Sequence, residues 1–207
     1  MLGHQSARRR AARLLVLCAG LGLALVAPPA GRAAGIDASA AVSLPGPVQA
    51  PAHELAGLAS SLSGGGCAGA NRVPRAASAA ALRGAVMCLV NLERSRSGLR
   101  PFGTNGRLAR AAVRHAADMA RRGYFGHYSP RGRGPGSRAR AAGWHGRVSE
   151  VLAWGCGSQA TPLSTVVAWL RSPPHRAILL GHWRVAGVGV VTSGNCGRRA
   201  YWVIDFG

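Results

Sequence analysis

The stretch 185-VAGVGVVT-192, followed by 200-AYWVIDF-206, ends the chain with two β-strand patterns. Valine dominates the first run, and Trp202, Ile204 and Phe206 alternate with other residues in the second. A period of two is typical of a strand that buries one face. The C-terminal residues therefore predict two neighbouring strands of one sheet.

Helical patterns precede these strands. In each of them apolar residues recur at helical spacing, and two open with a Ser or Thr cap followed by proline. The predicted helices are Leu82 to Gly98, Gly106 to Arg122, Thr161 to Leu170, and Ser172 to Leu180. An order in which helices come first and paired strands come last favours an α+β fold with an antiparallel sheet.

The N-terminal residues resemble an export signal. Four arginines precede an uncharged run from Leu14 to Ala27, and small residues follow, so we predict a signal peptide over residues 1–33. The alternative is a retained membrane anchor, but the run of 14 residues is shorter than the roughly 20 that cross a bilayer. Once processed, the protein is not expected to be an integral membrane protein.

Composition changes again after the signal. Residues 34–82 are rich in Ala, Ser, Gly and Pro and contain few large apolar side chains, so we predict a linker there. Residues 83–207 then form the predicted folded domain, of about 125 residues. This length suits one domain with one core.

All 26 basic residues are arginine, and no lysine is present. Sites that require lysine, such as phosphate-loop and Schiff-base sites, are therefore excluded. Residues 83–207 hold 19 arginines against four acids, a net charge of +15. Such a charge attracts polyanions, including anionic cell-envelope polymers, without specificity. Because the arginines are scattered and few aromatic residues lie between them, specific nucleic-acid binding is not expected.

Export makes disulfide formation the expected state of the cysteines. Four remain after the signal, and four cysteines allow three connectivities. We predict that sequence neighbours pair, as Cys67–Cys88 and Cys156–Cys196. Each bridge contributes roughly 3 to 4 kcal/mol in the chain-entropy model.

Standard catalytic signatures are missing from the sequence, and so is an obvious nucleophile. Glu93 and Asp118 each precede an arginine by three positions, which indicates solvated ion pairs on helices. Asp205 lies in the last strand, opposite its apolar face. Glu150 is left as the leading acidic candidate, and it is the only residue to which we assign a catalytic role if the protein is an enzyme.

Histidine supplies the other candidate ligands. The spacing of His115 with Leu108 and Met119 favours a hydrogen-bonded residue lining the core. His127 and His175 instead lie in turn-like settings, HYSP and SPPHR. Since His175 falls in the first turn of a predicted helix, the helix dipole should keep its imidazole neutral and able to bind metal.

A series of short motifs, in this order along the chain, resembles a known family. The motifs are NLER (91–94), GLRP (98–101), DMA (118–120), GYFGHYSP (123–130), SEVLA (149–153), AW (168–169), SPPHR (172–176), GVG (187–189) and YW with DFG (201–207). The series is similar to the bacterial branch of the CAP superfamily, the SCP-like extracellular domains. It covers about 125 residues.

The resemblance implies an α/β/α sandwich with a central antiparallel sheet and an open cleft. In the family this cleft holds two histidines and two glutamates, and some members bind a divalent metal there. His127, Glu150 and His175 match three of the four, while Ser172 stands where the eukaryotic branch has the second glutamate. Val151 replaces the asparagine that usually follows the first glutamate.

If His127, Glu150 and His175 converge, two nitrogens, a carboxylate and an open position suit Zn²⁺. The alternative is that Glu150 bonds backbone amides and the two rings only close the cleft. We expect a secreted protein, extracellular or associated with the cell wall, whose cleft binds a divalent metal, a small or lipid-like ligand, or both. A metal-dependent hydrolase using Glu150 to move a proton is the first alternative, and a nonspecific polyanion binder is the second.

Overall fold

In a computed structural model of the chain, the structure describes residues 52–63, 66–194 and 199–207. The described helices are α1 (Ala52–Ser63), α2 (Ala79–Arg96), α3 (Gly106–Arg122), α4 (Pro135–Ala141), α5 (Pro162–Arg171) and α6 (Pro173–Leu179), with 3-10 turns at Pro74–Ala76 and Gly157–Ala160. The strands are β1 (Gly103–Thr104), β2 (Ser149–Gly155), β3 (Val185–Ser193) and β4 (Arg199–Phe206). Each predicted helix and strand is present, and the sequence did not predict α1, α4, β1 or β2.

The four strands form one open sheet in the order β1-β3-β4-β2. β4 lies antiparallel to both β3 and β2, as expected. β1 adds two residues in parallel to β3, pairing Gly103 with Val185, so the sheet is antiparallel except at this edge. In the β2–β4 register, Glu150 stands directly opposite Asp205.

Helices cover both faces of the sheet and produce the expected α/β/α sandwich. One face, which we call the aliphatic face, packs against α1, α2, α5 and α6 and buries Trp169, Trp202 and Phe206. The other, the α3 face, packs Leu152 and Val203 against small residues of α3. Alternate residues of β4 therefore enter two different layers of the core.

Close approach of α3 to the sheet depends on two glycines of β3. A Cβ atom at Gly187 would overlap backbone atoms of Leu108 and Ala109, and one at Gly189 would overlap those of Ala112. The GVG motif thus allows a helix backbone to lie directly on a strand. This contact places His115, on the same helix, over the sheet.

The N-terminal border of the folded part differs from the prediction. α1 lies within the predicted linker 34–82, and its Leu62 is fully buried in the core beneath the aliphatic face. Cys67 and Cys88 form the predicted disulfide, which ties this segment to α2. Composition indicated a linker because the segment is rich in small residues. The buried side chain of Leu62 and the disulfide nevertheless connect it to the folded domain.

Two side chains of α2 hold the following loop and a distant helix. Asn91 exchanges two hydrogen bonds with the backbone of Phe102, at 2.8 and 3.1 Å. The buried Arg94 guanidinium stacks on the Phe102 ring and donates to the carbonyls of Arg100, Leu179 and Gly181. These contacts give a structural reason for the NLER motif.

None of the helices in the described ranges is both long enough and apolar enough to cross a membrane. The predicted signal peptide, residues 1–33, lies outside the described residues. So does Cys196, and the Cys156–Cys196 bridge therefore stays a prediction.

Candidate functional site

The site is centred on Glu150, at the start of β2 on the α3 face. Its side chain is only 1% exposed, so the carboxylate needs compensating partners. Arg138 Nη2 donates to Oε2 at 2.6 Å, and His127 Nδ1 donates to Oε1 at 2.8 Å. Both carboxylate oxygens are thereby engaged.

Arg138 joins Glu150 to the loop that carries His127. α4 begins at Pro135 in the first-turn position and carries this arginine to the sheet. Besides Glu150, Arg138 donates through Nη1 to the carbonyls of His127 and Arg133, each at 2.7 Å. One guanidinium therefore fixes both the acid and the backbone of the histidine that contacts it.

Asp205, opposite Glu150 in β4, is completely buried. Neither of its oxygens has a donor partner among the described residues. Burial first, and the charge of Glu150 second, raise the pKa of Asp205 to about 9. Burial and the adjacent negative charge of Glu150 therefore favour the protonated, neutral form of this carboxyl group.

His115 completes the buried part of the cluster. It is 1% exposed, as its predicted core position requires, and Nε2 donates to the carbonyl of Gly126 at 3.0 Å. The same nitrogen lies 4.0 Å from Glu150 Oε2. Burial lowers the pKa of His115 despite the nearby acid, so the ring is neutral at neutral pH.

His175 forms a separate hydrogen-bonded pair. Its Nδ1 lies 2.7 Å from Oγ of Ser172, the residue that precedes α6. The pKa of His175 is lowered, as predicted, but through burial first and the charge of His127 second. The direction follows the sequence prediction, and the main physical cause is desolvation and not the helix dipole that we invoked.

The three predicted ligands thus make two pairs, His127 with Glu150 and His175 with Ser172. Within the described ranges, no group of three or more His, Cys, Asp or Glu side chains is placed to hold a metal ion. His127 and His175 are near enough for the charge of one to affect the pKa of the other. The metal assignment itself stays a prediction.

Sequence reasoning missed two members of the cluster, Arg138 and Asp205. Gly134 and Pro135 are a helix start signal and Gly143 is a stop, so α4 and its arginine could have been found. Asp205 was placed correctly, on the face opposite Trp202. That face was not expected to be buried, because the alanine-rich surface of α3 gives a weak hydrophobic signal.

The expected ion pair at Asp118 is confirmed, with Arg121 at 2.7 Å and Arg122 at 3.0 Å. Tyr124 also donates to the second oxygen of Asp118 at 2.8 Å. Arg96, the expected partner of Glu93, instead donates to the carbonyl of Ser61 at 2.6 Å.

Comparisons with known proteins agree with the fold. Residues 88–206 match the sequence pattern of CAP, the cysteine-rich secretory protein family. The Bacillus subtilis protein YkwD is 34% identical over 112 residues, which are 53% of this chain and 42% of YkwD.

Two solved structures are similar at lower identity. An extracellular SCP-domain protein from Bacillus anthracis has a TM-score of 0.51 and 23% identity, over 63% of this chain and 43% of that one. An outer surface protein from Borrelia burgdorferi has a TM-score of 0.50 and 20% identity, over 59% of this chain and 88% of that one. The chain thus spans less than half the length of YkwD and of the Bacillus anthracis protein.

Proposed function

Because the chain belongs to the cysteine-rich secretory protein (CAP) family, we propose that it is an exported binding protein of the cell envelope. Its cleft would take a divalent metal together with a small or lipid-like ligand. The two similar structures come from proteins described as extracellular and as an outer surface protein. Together with the predicted signal at 1–33, they support a place outside the cell.

One observation carries the metal proposal: the imidazoles of His127 and His175 each use Nδ1 in a hydrogen bond to a neighbouring side chain. Nδ1 of His127 is bound to Glu150, and Nδ1 of His175 is bound to Ser172. In metal sites, a ligating histidine commonly donates its other N–H to a carboxylate or similar acceptor. The two Nε2 atoms therefore fit a soft or borderline divalent ion such as Zn²⁺.

Glu150 does not fit as a third direct ligand in this arrangement. Arg138 and His127 occupy its two oxygens, and a direct bond to a metal would require one of them to leave. We assign Glu150 the role of orienting His127. A bound ion would supply Lewis-acid attraction for an anionic or carbonyl group of the ligand.

The same geometry favours binding over hydrolysis. A hydrolase of the predicted kind needs Glu150 as a mobile proton acceptor. Here the acid is 1% exposed and bound to a guanidinium that also holds two loop carbonyls. Releasing it would leave buried donors without partners, at a cost of several kcal/mol.

Calorimetric titration of Zn²⁺ into the disulfide-intact protein tests the proposal. We expect saturable binding that drops at least tenfold in His127→Ala and in His175→Ala, because each removes one of only two imidazole ligands. His145→Ala and His182→Ala are matched controls, since both histidines are exposed and neither belongs to the proposed metal-binding pair. Equal affinity in all four variants would end the metal proposal.

The role of Glu150 needs a separate variant. Glu150→Gln keeps the shape and can still accept from His127 Nδ1, so we expect reduced rather than abolished Zn²⁺ binding, by about tenfold. Complete loss in Glu150→Gln with a normal fold would instead identify Glu150 as a direct ligand.

A further inference from the structure

A groove beside the Glu150 cluster is lined largely by arginine. It lies between α3, the loop after it and α4, and has a volume of about 420 Å³. This is within the size range of pockets that bind small molecules. The arginines are Arg114, Arg121, Arg122, Arg131, Arg133 and Arg138.

The single acid in the lining does not neutralise this charge. Asp118 is already bound by Arg121, Arg122 and the hydroxyl of Tyr124. Its charge is thus shared between two of the six arginines.

Three of the remaining guanidiniums have no partner among the described residues. The side chains of Arg114, Arg131 and Arg133 are exposed, and within the described part of the chain they make no hydrogen bond or ion pair. Outside the groove, by contrast, Arg94 and Arg96 both donate hydrogen bonds to backbone carbonyls. Three unpaired cations within one concave surface repel one another, and an anion would relieve that repulsion.

Arg138 adds a second, independent observation. It lines the groove, its side chain is 9% exposed, and its buried Nε has no hydrogen-bond partner among the described residues. Buried donors without partners are rare and costly. An acceptor oxygen that entered from the groove could satisfy this one.

We propose that this groove is a binding site for a small, multiply charged phosphate ligand. Guanidinium groups match phosphate oxygens in paired hydrogen bonds, and several of them suit a ligand with closely spaced negative charges better than a single carboxylate. The ligand would be a free oligophosphate or the phosphate-bearing headgroup of an envelope lipid. The site is distinct from the imidazole pair and does not depend on a bound metal.

The test uses inorganic tripolyphosphate, titrated calorimetrically into the disulfide-intact protein at physiological salt with chelator present. Under these conditions exposed long-range attraction is largely screened. We expect one saturable site, weakened about tenfold or more in the double variant Arg131→Gln/Arg133→Gln. Both side chains are exposed, so the substitutions should leave the fold intact, which thermal unfolding will verify.

The matched control is Arg75→Gln/Arg100→Gln, which removes the same charge from exposed positions outside the groove. Unchanged binding in this control supports the site. Equal loss in both double variants, or no saturable binding by the unmodified protein, overturns it. His127→Ala/His175→Ala should bind tripolyphosphate normally, so failure of the metal proposal and failure of this one are distinguishable.

Vesicles identify the source of the phosphate. If cosedimentation with vesicles that contain cardiolipin, whose headgroup carries two phosphates, falls in the Arg131→Gln/Arg133→Gln variant and tripolyphosphate competes with it, the ligand is a lipid headgroup. If tripolyphosphate binding requires the groove but vesicle binding does not change in the groove variant, the ligand is a soluble phosphate.

Discussion

The two faces of the sheet are buried in different ways, although neighbouring residues of one strand form both of them. On the aliphatic face, Trp202 and Phe206 of β4 pack among large side chains of α2 and α5. One residue away, Asp205 points to the α3 face, where it is equally buried but next to another carboxyl group. The comparison shows that burial alone does not make a layer apolar, because a strand can stabilise one face by packing and hold a polar cluster on the other.

The largest expected effect concerns the contact that closes the α3 face. Gly187→Ala would force α3 away from β3, because the new Cβ would overlap the backbone of Ala109. We expect the free energy of unfolding to fall by about 3 kcal/mol or more, measured in urea. Gly84→Ala, on a helix position with open space, should instead stabilise by roughly 0.5 to 1 kcal/mol. A tolerated Gly187→Ala would show that the helix has room to move.

The next largest effect is expected from breaking the buried ion pair between Arg138 and Glu150. Arg138→Gln leaves Glu150 as a buried charge without its guanidinium, and we expect a loss of about 3 kcal/mol. Glu150→Gln in the same background should recover part of this loss in a double-mutant cycle. Additive losses would mean that the two side chains are not energetically coupled.

The buried acid predicts a dependence on pH. The pKa of Asp205 is raised from 3.8 to about 9, so the folded protein keeps a proton that the unfolded chain releases. The bound proton contributes to the free energy of unfolding. This contribution is complete below about pH 4 and is lost as the pH rises toward 9.

Asp205→Asn retains a donor toward Glu150 and has no proton to lose. It should match the unmodified protein at pH 4 and exceed its free energy of unfolding by about 1 to 3 kcal/mol at pH 8. Thermal unfolding at both values checks this. An equal difference at the two pH values would mean that Asp205 is ionised in the native protein.

The smallest effect is expected at the surface. Arg121 pairs with Asp118 at 2.7 Å, but its side chain is 66% exposed and Arg122 contacts the same acid. Arg121→Gln should therefore change the free energy of unfolding by less than about 0.5 kcal/mol. A loss comparable to that of Arg138→Gln would remove the distinction between buried and exposed pairs.

Local signals in the sequence predicted most of the fold. The cap at Thr161 with Pro162, and the left-handed Gly123 after α3, mark helix ends through short-range geometry. Strand β2 was not predicted, because the SEVLA motif has only a short apolar run. The pairing of β2 with β4, which places Glu150 opposite Asp205, joins residues that are 45 to 57 positions apart along the chain.

The candidate site was only partly predictable for the same reason. Glu150, His127 and His175 could be named from the family resemblance, but a resemblance does not specify which groups share a proton or an ion pair. Arg138 is one of 26 arginines, and composition gave no reason to single it out. Its role depends on α4 bringing it to the sheet.

The three carbonyls held by Arg94 give the domain a long-range tether. Two of them lie at the C-terminal end of α6: Leu179 is its last residue, and Gly181 follows it. The first turn of the same helix carries His175. The orientation of that imidazole is therefore linked mechanically to the domain's first long helix, more than 80 positions earlier in the chain. Arg94→Lys would preserve the charge but not the planar guanidinium that reaches all three oxygens, so the end of α6 would lose at least part of its connection to α2.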